Sequence, residues 1–139
     1  MYHNILIPMD PDYPDNFDSL VALALKVVEE GGKVSTLYVN KNYIHHAMAA
    51  TSSDKPTEIE KAVLEKVIEK FNCSVPEQVR GRVYTQRGVV HDEILRVSKR
   101  VGADLIIMSP NKRPWLDRFL GSNTRKVMLE AHCSVFVQR

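Results

Sequence analysis

The fold is decided by a short apolar run near the start of the chain, Asn4-Ile5-Leu6-Ile7-Pro8-Met9-Asp10. A second run of the same kind, Asp104-Leu105-Ile106-Ile107-Met108, lies much later in the sequence. Both runs are nearly continuous in apolar residues, as strands are when helices cover both faces of their sheet. We therefore predict that residues 3–8 and 104–108 form central strands of a parallel sheet.

Three further β-like runs and four helix-like segments alternate with these two. The other strands are predicted at 33–39, 82–86 and 134–138, and the alternating run at 82–86 is typical of an edge strand. This alternation predicts a three-layer helix–sheet–helix α/β fold with a five-stranded parallel sheet. With 139 residues, 44% of them hydrophobic, we expect residues 1–139 to form a single domain.

The helices are bounded by recognisable start and stop signals. The first is predicted from Phe17 to Glu30, where Gly31-Gly32 would end it. The second begins with a capping box at 57–60 and continues to Phe71. The remaining two are predicted at 90–101 and from Ser122-Asn123 onward.

Composition excludes several classes of protein. No apolar run reaches the roughly 18 residues of a membrane helix, and the first residues lack the basic region of a signal peptide. We therefore expect a cytoplasmic protein with no membrane partner. A net charge of +2 gives no indication of nucleic-acid binding. Cys73 and Cys133 form no metal or redox motif and are interpreted as buried thiols.

In an open parallel sheet, ligands bind beyond the carboxyl ends of the strands, where the strand order reverses. For five strands in this pattern, the first and fourth are predicted to be neighbours at the reversal. The residues that follow Pro8 and Met108 should therefore carry any ligand chemistry.

The loop after the first strand is acidic and stiff, with four aspartates and three prolines between Pro8 and Asp18. Asp10 lies two residues past the strand, where a carboxylate can accept from a sugar hydroxyl or a base amine, or hold a metal through water. Asp12, Asp15 and Asp18 are interpreted as turn formers and N-caps of the first helix.

The segment after the fourth strand is basic, with five Lys or Arg and one Asp between Ser109 and Lys126. Near its end, Gly121-Ser122-Asn123 leads into a helix whose free amides and dipole favour an anion. Basic side chains at 112, 113 and 125 could neutralise phosphate charge. A solvated basic loop followed by an ordinary N-cap explains these residues equally well.

Standard nucleotide and catalytic signatures are absent from the sequence. It contains no GxxxxGK[ST], no GxGxxG after the first strand and no GxSxG. The five histidines form no metal motif; His45-His46 are interpreted as exposed polar residues, and His91-Asp92-Glu93 as the polar first turn of the third helix. No nucleophile–base pair can be assembled, so no catalytic residue is predicted and the metal ligands stay unassigned.

Taken in order, the segments resemble the universal stress protein family. The run at 4–10 is similar to the family's first-strand motif, an apolar run that ends in Pro-x-Asp. Further similarity lies at 37–39, Gly88 with 94–95, 102–108, 120–123 and 131–137. The resemblance implies a Rossmann-like fold of the adenine nucleotide alpha-hydrolase type. It also implies a homodimer, often formed through the last strand, and ATP binding, which many members share.

One loop departs from the pattern of the ATP-binding members, which is Gly-x-x-Gly, nine residues, then Gly-Ser or Gly-Thr. Ser109 and Lys112 stand at the first two glycine positions, and Gly121 arrives one residue early. Arg113-Pro114 resembles a shortened loop of other members that are still thought to take nucleotide.

The resemblance implies a binding role for ten residues. Asp10 would accept from adenine or ribose, or help to hold magnesium, and Pro8 and Val39 would wall the adenine. The others would lie under the ribose or hold the phosphates: Met108, Ser109, Lys112, Arg113, Gly121, Ser122 and Asn123.

Three functions compete. The leading hypothesis is a non-enzymatic stress-response or signalling module that binds ATP, alone or with Mg²⁺. The alternative is a nucleotide-independent protein-interaction module, in which the basic loop and residues 45–53 contact a partner and Trp115 is the anchor. A slow ATPase or phosphotransferase is the third, although no base is evident to activate a water.

A homodimer is also expected from the residues themselves. The run at 134–138 lies at the chain end, where it should form a sheet edge. Pairing with its twin across a two-fold axis would cover that apolar edge.

Overall fold

The computed structural model describes residues 1–41, 57–110 and 121–139. Its elements follow in the order β1 (Tyr2–Pro8), α1 (Pro14–Val27), β2 (Val28–Asn40), α2 (Glu58–Ser74), a 3₁₀ turn (Glu77–Val79), β3 (Arg80–Arg87), α3 (Val90–Arg100), β4 (Leu105–Met108), α4 (Ser122–Glu130) and β5 (Ser134–Val137). The predicted α/β fold with a five-stranded parallel sheet is confirmed.

The sheet has the strand order β3-β2-β1-β4-β5. The chain builds outward from β1 to one side through β2 and β3, then returns to build β4 and β5 on the other side. The predicted pairing of the first and fourth strands is confirmed, with Ile5 opposite Leu105 and Leu6 opposite Ile106. The prediction that the third strand is an edge is confirmed as well.

Two apolar cores lie on opposite faces of the sheet. Ile5 and Ile7 contribute to the core under α1 and α2, whereas Leu6 and Ile106 contribute to the core under α3 and α4. Because successive side chains of a strand point to opposite faces, a continuous apolar run is what this double covering requires.

The first helix ends earlier than predicted, at Val27 rather than Glu30. Val28 is extended, and its N–H bonds to Ala24 O at the end of the helix. Gly31 and Gly32 therefore do not stop the helix; they lie inside β2, where the register against β1 shifts. Gly31 has φ +80°, and a Cβ on the buried Gly32 would lie 2.7 Å from Val28 Cγ2.

The aspartates near α1 are not its N-caps. Tyr13 is the N-cap residue, without a side-chain hydrogen bond, and the helix begins at Pro14. Asp18 instead joins two helices, because its carboxylate accepts from Lys70 Nζ at 2.6 Å and Ser74 Oγ at 2.7 Å. These hydrogen bonds lower the pKa of Asp18. The N-cap interpretation of Asp18 was wrong because the sequence does not show which helix lies beside it.

The prediction of two buried thiols was also wrong. Cys73 is exposed and Cys133 is partly buried, and both are free. On α2, Val67 and Phe71 face the core, and a residue two positions beyond Phe71 points about 200° away from it. Burial raises the pKa of the Cys133 thiol, and the charge of Asp104 adds to this effect.

Candidate functional site

A cleft of about 570 Å³ opens at the carboxyl ends of β1, β2 and β4. Its volume lies within the roughly 300–1,000 Å³ of small-molecule sites. The lining residues come from four parts of the chain and two helix faces: Pro8 to Asp12, Leu37 to Lys41, Val63, Val90, Ile94, Met108, Ser109 and Gly121 to Thr124.

Eight of the ten residues expected at a binding site line this cleft. They are Pro8, Asp10, Val39, Met108, Ser109, Gly121, Ser122 and Asn123. Lys112 and Arg113 lie outside the described residues, as do Trp115 and the segment at 45–53. The structure thus brings eight of these residues to one place, and their role in binding stays a prediction.

Asp10 both shapes the turn after β1 and lines the cleft. Its Oδ1 accepts from Asp12 N–H at 3.0 Å, and its carbonyl accepts from Tyr13 N–H at 3.0 Å. The side chain therefore shapes the turn after β1, as aspartates commonly do. Only one carboxylate oxygen takes part in this turn, which leaves the other for a ligand hydroxyl or amine.

Tyr38 lines the cleft beside this turn, and sequence reasoning missed it. Burial raises the pKa of the Tyr38 phenol, and the charges of Glu60, Asp12 and Asp10 raise it further. The phenol therefore stays protonated and can donate a hydrogen bond. We call Asp10 and Asp12 the acidic lip, since both line the cleft and their charges act on this one side chain.

The wall formed by α2 is held in place by a polar network at its first turn. Glu60 pairs with Arg87 at 3.1 Å, and it also hydrogen-bonds to Asn40. Burial alone would raise the pKa of Glu60, but the hydrogen bonds from Arg87 and Asn40 outweigh it and lower the pKa. Thr57 completes the predicted cap by accepting from Glu60 N–H at 3.2 Å.

The opposite side of the cleft is the beginning of α4. The helix begins at Ser122, and its first backbone hydrogen bond runs from Arg125 N–H to Gly121 O at 3.0 Å. The backbone amides of residues 122–124 precede that bond and have no acceptor within the helix. No acidic residue lies in the first turn. We call Gly121–Thr124 the helix mouth; its amides and the helix dipole favour an anion.

Apolar side chains form the floor between the acidic lip and the helix mouth. Val39 and Met108 were expected there, whereas Val63, Val90 and Ile94 were not. The helical spacing of Val63 and Ile94 predicts only that they face the sheet. Their place at the carboxyl ends of the strands depends on how far each helix extends past the sheet.

Within residues 1–41, 57–110 and 121–139, no cluster of three or more His, Cys, Asp or Glu side chains is arranged to hold a metal ion. In the same ranges, none of the helices has the length and apolar character needed to cross a membrane.

Comparisons with known proteins identify relatives over the whole length of the chain. Residues 1–139 match the sequence profile of the Universal stress protein family. Universal stress protein G of Escherichia coli O157:H7 is 22% identical over 142 residues, which cover all of both proteins.

Solved structures share the fold. The universal stress protein UspA from Lactobacillus plantarum superposes with a TM-score of 0.70 at 21% identity, covering 99% of this chain and 98% of that one. A universal stress protein in complex with cAMP gives 0.64 at 16% identity, with coverages of 99% and 97%. One from Archaeoglobus fulgidus in complex with dAMP gives 0.61 at 16% identity, with coverages of 99% and 98%.

Proposed function

This chain belongs to the universal stress protein family, and we propose that its cleft binds an adenine nucleotide, specifically ATP, as part of a stress or signalling response. One observation carries the proposal: the acidic lip after β1 and the helix mouth after β4 flank a single cleft with an apolar floor. A nucleotide has parts that match these features: a flat base for apolar surface, a sugar whose hydroxyls can donate to a carboxylate, and an anionic phosphate tail for the helix mouth.

The base and the sugar belong on the strand side of the cleft. Pro8 and Val39 provide apolar surface for the faces of an adenine ring. The Asp10 carboxylate oxygen that is not used in the turn can accept from a ribose hydroxyl or from the adenine amine. The Tyr38 phenol adds a donor at the same side.

The phosphates belong at the helix mouth. Three backbone amides, the Ser122 hydroxyl and the Asn123 amide are the donors that the described residues offer there. Ser109, which replaces the first family glycine, is small and lines the cleft without closing it. Lys112 and Arg113 are proposed to add positive charge.

Magnesium fits the donor set of the acidic lip. Asp10 and Asp12 offer the hard carboxylate oxygens with which proteins hold this ion together with substrate phosphates. When bound, the ion would supply positive charge to an anionic ligand.

The relatives suggest which ligand class to test first. The cAMP and dAMP complexes are of universal stress proteins with the same fold, and both ligands are adenine nucleotides. At 16% identity this likeness concerns the fold alone, so the argument for this chain rests on its own cleft.

Calorimetry and thermal unfolding with ATP, with and without Mg²⁺, test the proposal. A Kd of about 10 µM would stabilise the protein by ~2.7 kcal/mol at about 1 mM ATP, because ligand binds only the native state. Ser122→Tyr should abolish the shift in melting temperature. Ser19→Tyr, at an exposed serine of α1 outside the cleft, is the matched control and should preserve it.

The absence of any shift at millimolar ATP, ADP and AMP would sink the proposal. In that case, a partner captured equally well with and without nucleotide, and lost on Trp115→Ala, would point to the interaction module.

We further propose that the protein is a homodimer through β5. This strand is a sheet edge, and Val135, Phe136 and Val137 are only partly buried. Gln138 N–H donates inward to Met108 O at 2.9 Å, so the N–H groups of Val135 and Val137 point outward from the sheet.

Light scattering tests the dimer. At micromolar concentration we expect twice the chain mass of 15.8 kDa. Val137→Pro removes an outward donor without breaking the ladder to β4, and it should shift the protein towards monomer. Val137→Thr keeps the donor and should remain dimeric. A wild-type monomer would contradict the proposal.

A further inference from the structure

We infer that His91 is a positioning residue of the cleft, which orients the Asn123 side chain so that its amide nitrogen faces a bound phosphate. The inference rests on the proposed nucleotide binding and adds a residue that does not itself line the cleft. His91 lies in the first turn of α3, and Asn123 lies in the first turn of α4.

The contact between the two side chains is specific. His91 Nδ1 lies 3.2 Å from Asn123 Oδ1, and the other ring nitrogen, Nε2, lies 3.1 Å from Asp92 Oδ1. Only 16% of the His91 side chain is exposed, so solvent competes weakly for these contacts. Both ring nitrogens thus face oxygen atoms, and a ring with its hydrogen on Nδ1 donates that N–H to Asn123 Oδ1.

The consequence follows from the chemistry of the carboxamide group. An asparagine has an acceptor on one branch of its side chain and two N–H donors on the other. When Nδ1–H of His91 donates to Asn123 Oδ1, the acceptor branch is occupied and the donor branch is left for the cleft that Asn123 lines. Without His91, rotation about the last side-chain bond would present Oδ1 to phosphate oxygens, which repel it.

Three substitutions separate this role from simple packing. His91→Ala removes the donor. His91→Asn keeps an amide nitrogen near the position of Nδ1, whereas His91→Gln places it near that of Nε2. The quantity to measure by calorimetry is the Kd for ATP and, separately, the Kd for adenosine, which lacks the phosphates.

We expect His91→Ala and His91→Gln to raise the Kd for ATP about fivefold, which is the effect of losing one neutral hydrogen bond. The Kd for adenosine should stay unchanged. His91→Asn should restore the wild-type Kd for ATP. In a background of Asn123→Ala, His91→Ala should have no further effect, because its only route to the phosphate has been removed. The ¹H–¹⁵N signals of the Asn123 amide should shift with ATP in the wild-type protein and not with adenosine.

Equal weakening of ATP and adenosine by His91→Ala would overturn the inference, because it would indicate a structural role. Additive effects of the two alanine substitutions, or failure of His91→Asn to restore ATP binding, would overturn it too. In all three cases the wild-type protein still binds ATP, so the proposed function stands. A wild-type protein that binds neither ligand overturns both proposals together.

Discussion

The two ends of the central strands use the same kinds of polar residue in opposite ways. At the amino end, the Asp104 carboxylate accepts from the backbone N–H groups of His3 and Asn4 at 2.8 and 2.9 Å. Asp104 N–H bonds to Asn4 O at 2.9 Å, and the Asn4 side chain donates to Val101 O at 2.8 Å. At the carboxyl end, Asp10, Ser122 and Asn123 line an open cleft.

This contrast separates the residues that stabilise the fold from those that can bind a ligand. The amino-end groups satisfy one another, so their hydrogen bonds stabilise the join between β1 and the segment that enters β4. At the carboxyl end, the helix mouth and one oxygen of Asp10 keep hydrogen-bonding capacity for a ligand. Substitutions at the amino end should therefore lower stability and leave binding unchanged, and those that line the cleft at the carboxyl end should weaken binding without lowering stability.

The largest effect is expected from Asp104→Ala at the closed end. It removes two charge-assisted acceptors and should lower the free energy of unfolding by about 2–3 kcal/mol in urea titrations. Asp104→Asn keeps one acceptor oxygen, so its free energy of unfolding should fall less than that of Asp104→Ala. The Kd for ATP should stay unchanged for the folded protein; a weakened Kd would contradict the separation of the two ends.

Ser122→Glu should produce the opposite pattern at the open end. A carboxylate at the helix mouth repels phosphate, so we expect ATP to bind about tenfold more weakly, or about 1.4 kcal/mol. The same charge is favourable near a helix N-terminus, and the free energy of unfolding should rise by about 0.5 kcal/mol. Ser122→Gln is the uncharged control for size. Equal affinities of the Glu and Gln variants would argue against phosphate at this position.

The Glu60–Arg87 pair is a stabilising contact near the open end. We expect it to contribute about 1 kcal/mol to the free energy of unfolding, the smallest of these effects. The pKa of Glu60 is lowered in the folded protein, so its contribution is present at neutral pH and is lost as pH falls through that lowered pKa. Between about pH 6 and 3, Glu60→Gln should therefore lose less stability than the wild-type protein.

Urea titrations across this pH range measure how steeply the free energy of unfolding changes with pH. Glu58→Gln, at an exposed position in the same turn of α2, is the control and should follow the wild-type curve. An unaltered slope for Glu60→Gln would show that the pair contributes nothing at this end.

Much of the candidate site could be predicted because it follows the strand ends. A residue just past Pro8 or Met108 must lie at the carboxyl edge of a parallel sheet, and so Asp10, Ser109 and the start of α4 were found. Asn40, Glu60 and Arg87 were missed. Each belongs to a different element, and no local pattern indicates that they meet.

Local sequence patterns were enough to predict the elements, their α/β order and the two-sided burial of β1 and β4, because side-chain periodicity and caps act over a few residues. The folded structure was needed to see which distant side chains converge, such as His91 with Asn123 and Asp18 with Lys70. It also decided that α1 ends at Val27, where pairing of β2 with β1 outweighs helical pattern. Such contacts depend on how each helix crosses the sheet and where it is placed along it. The burial pattern of a single element does not determine either of these.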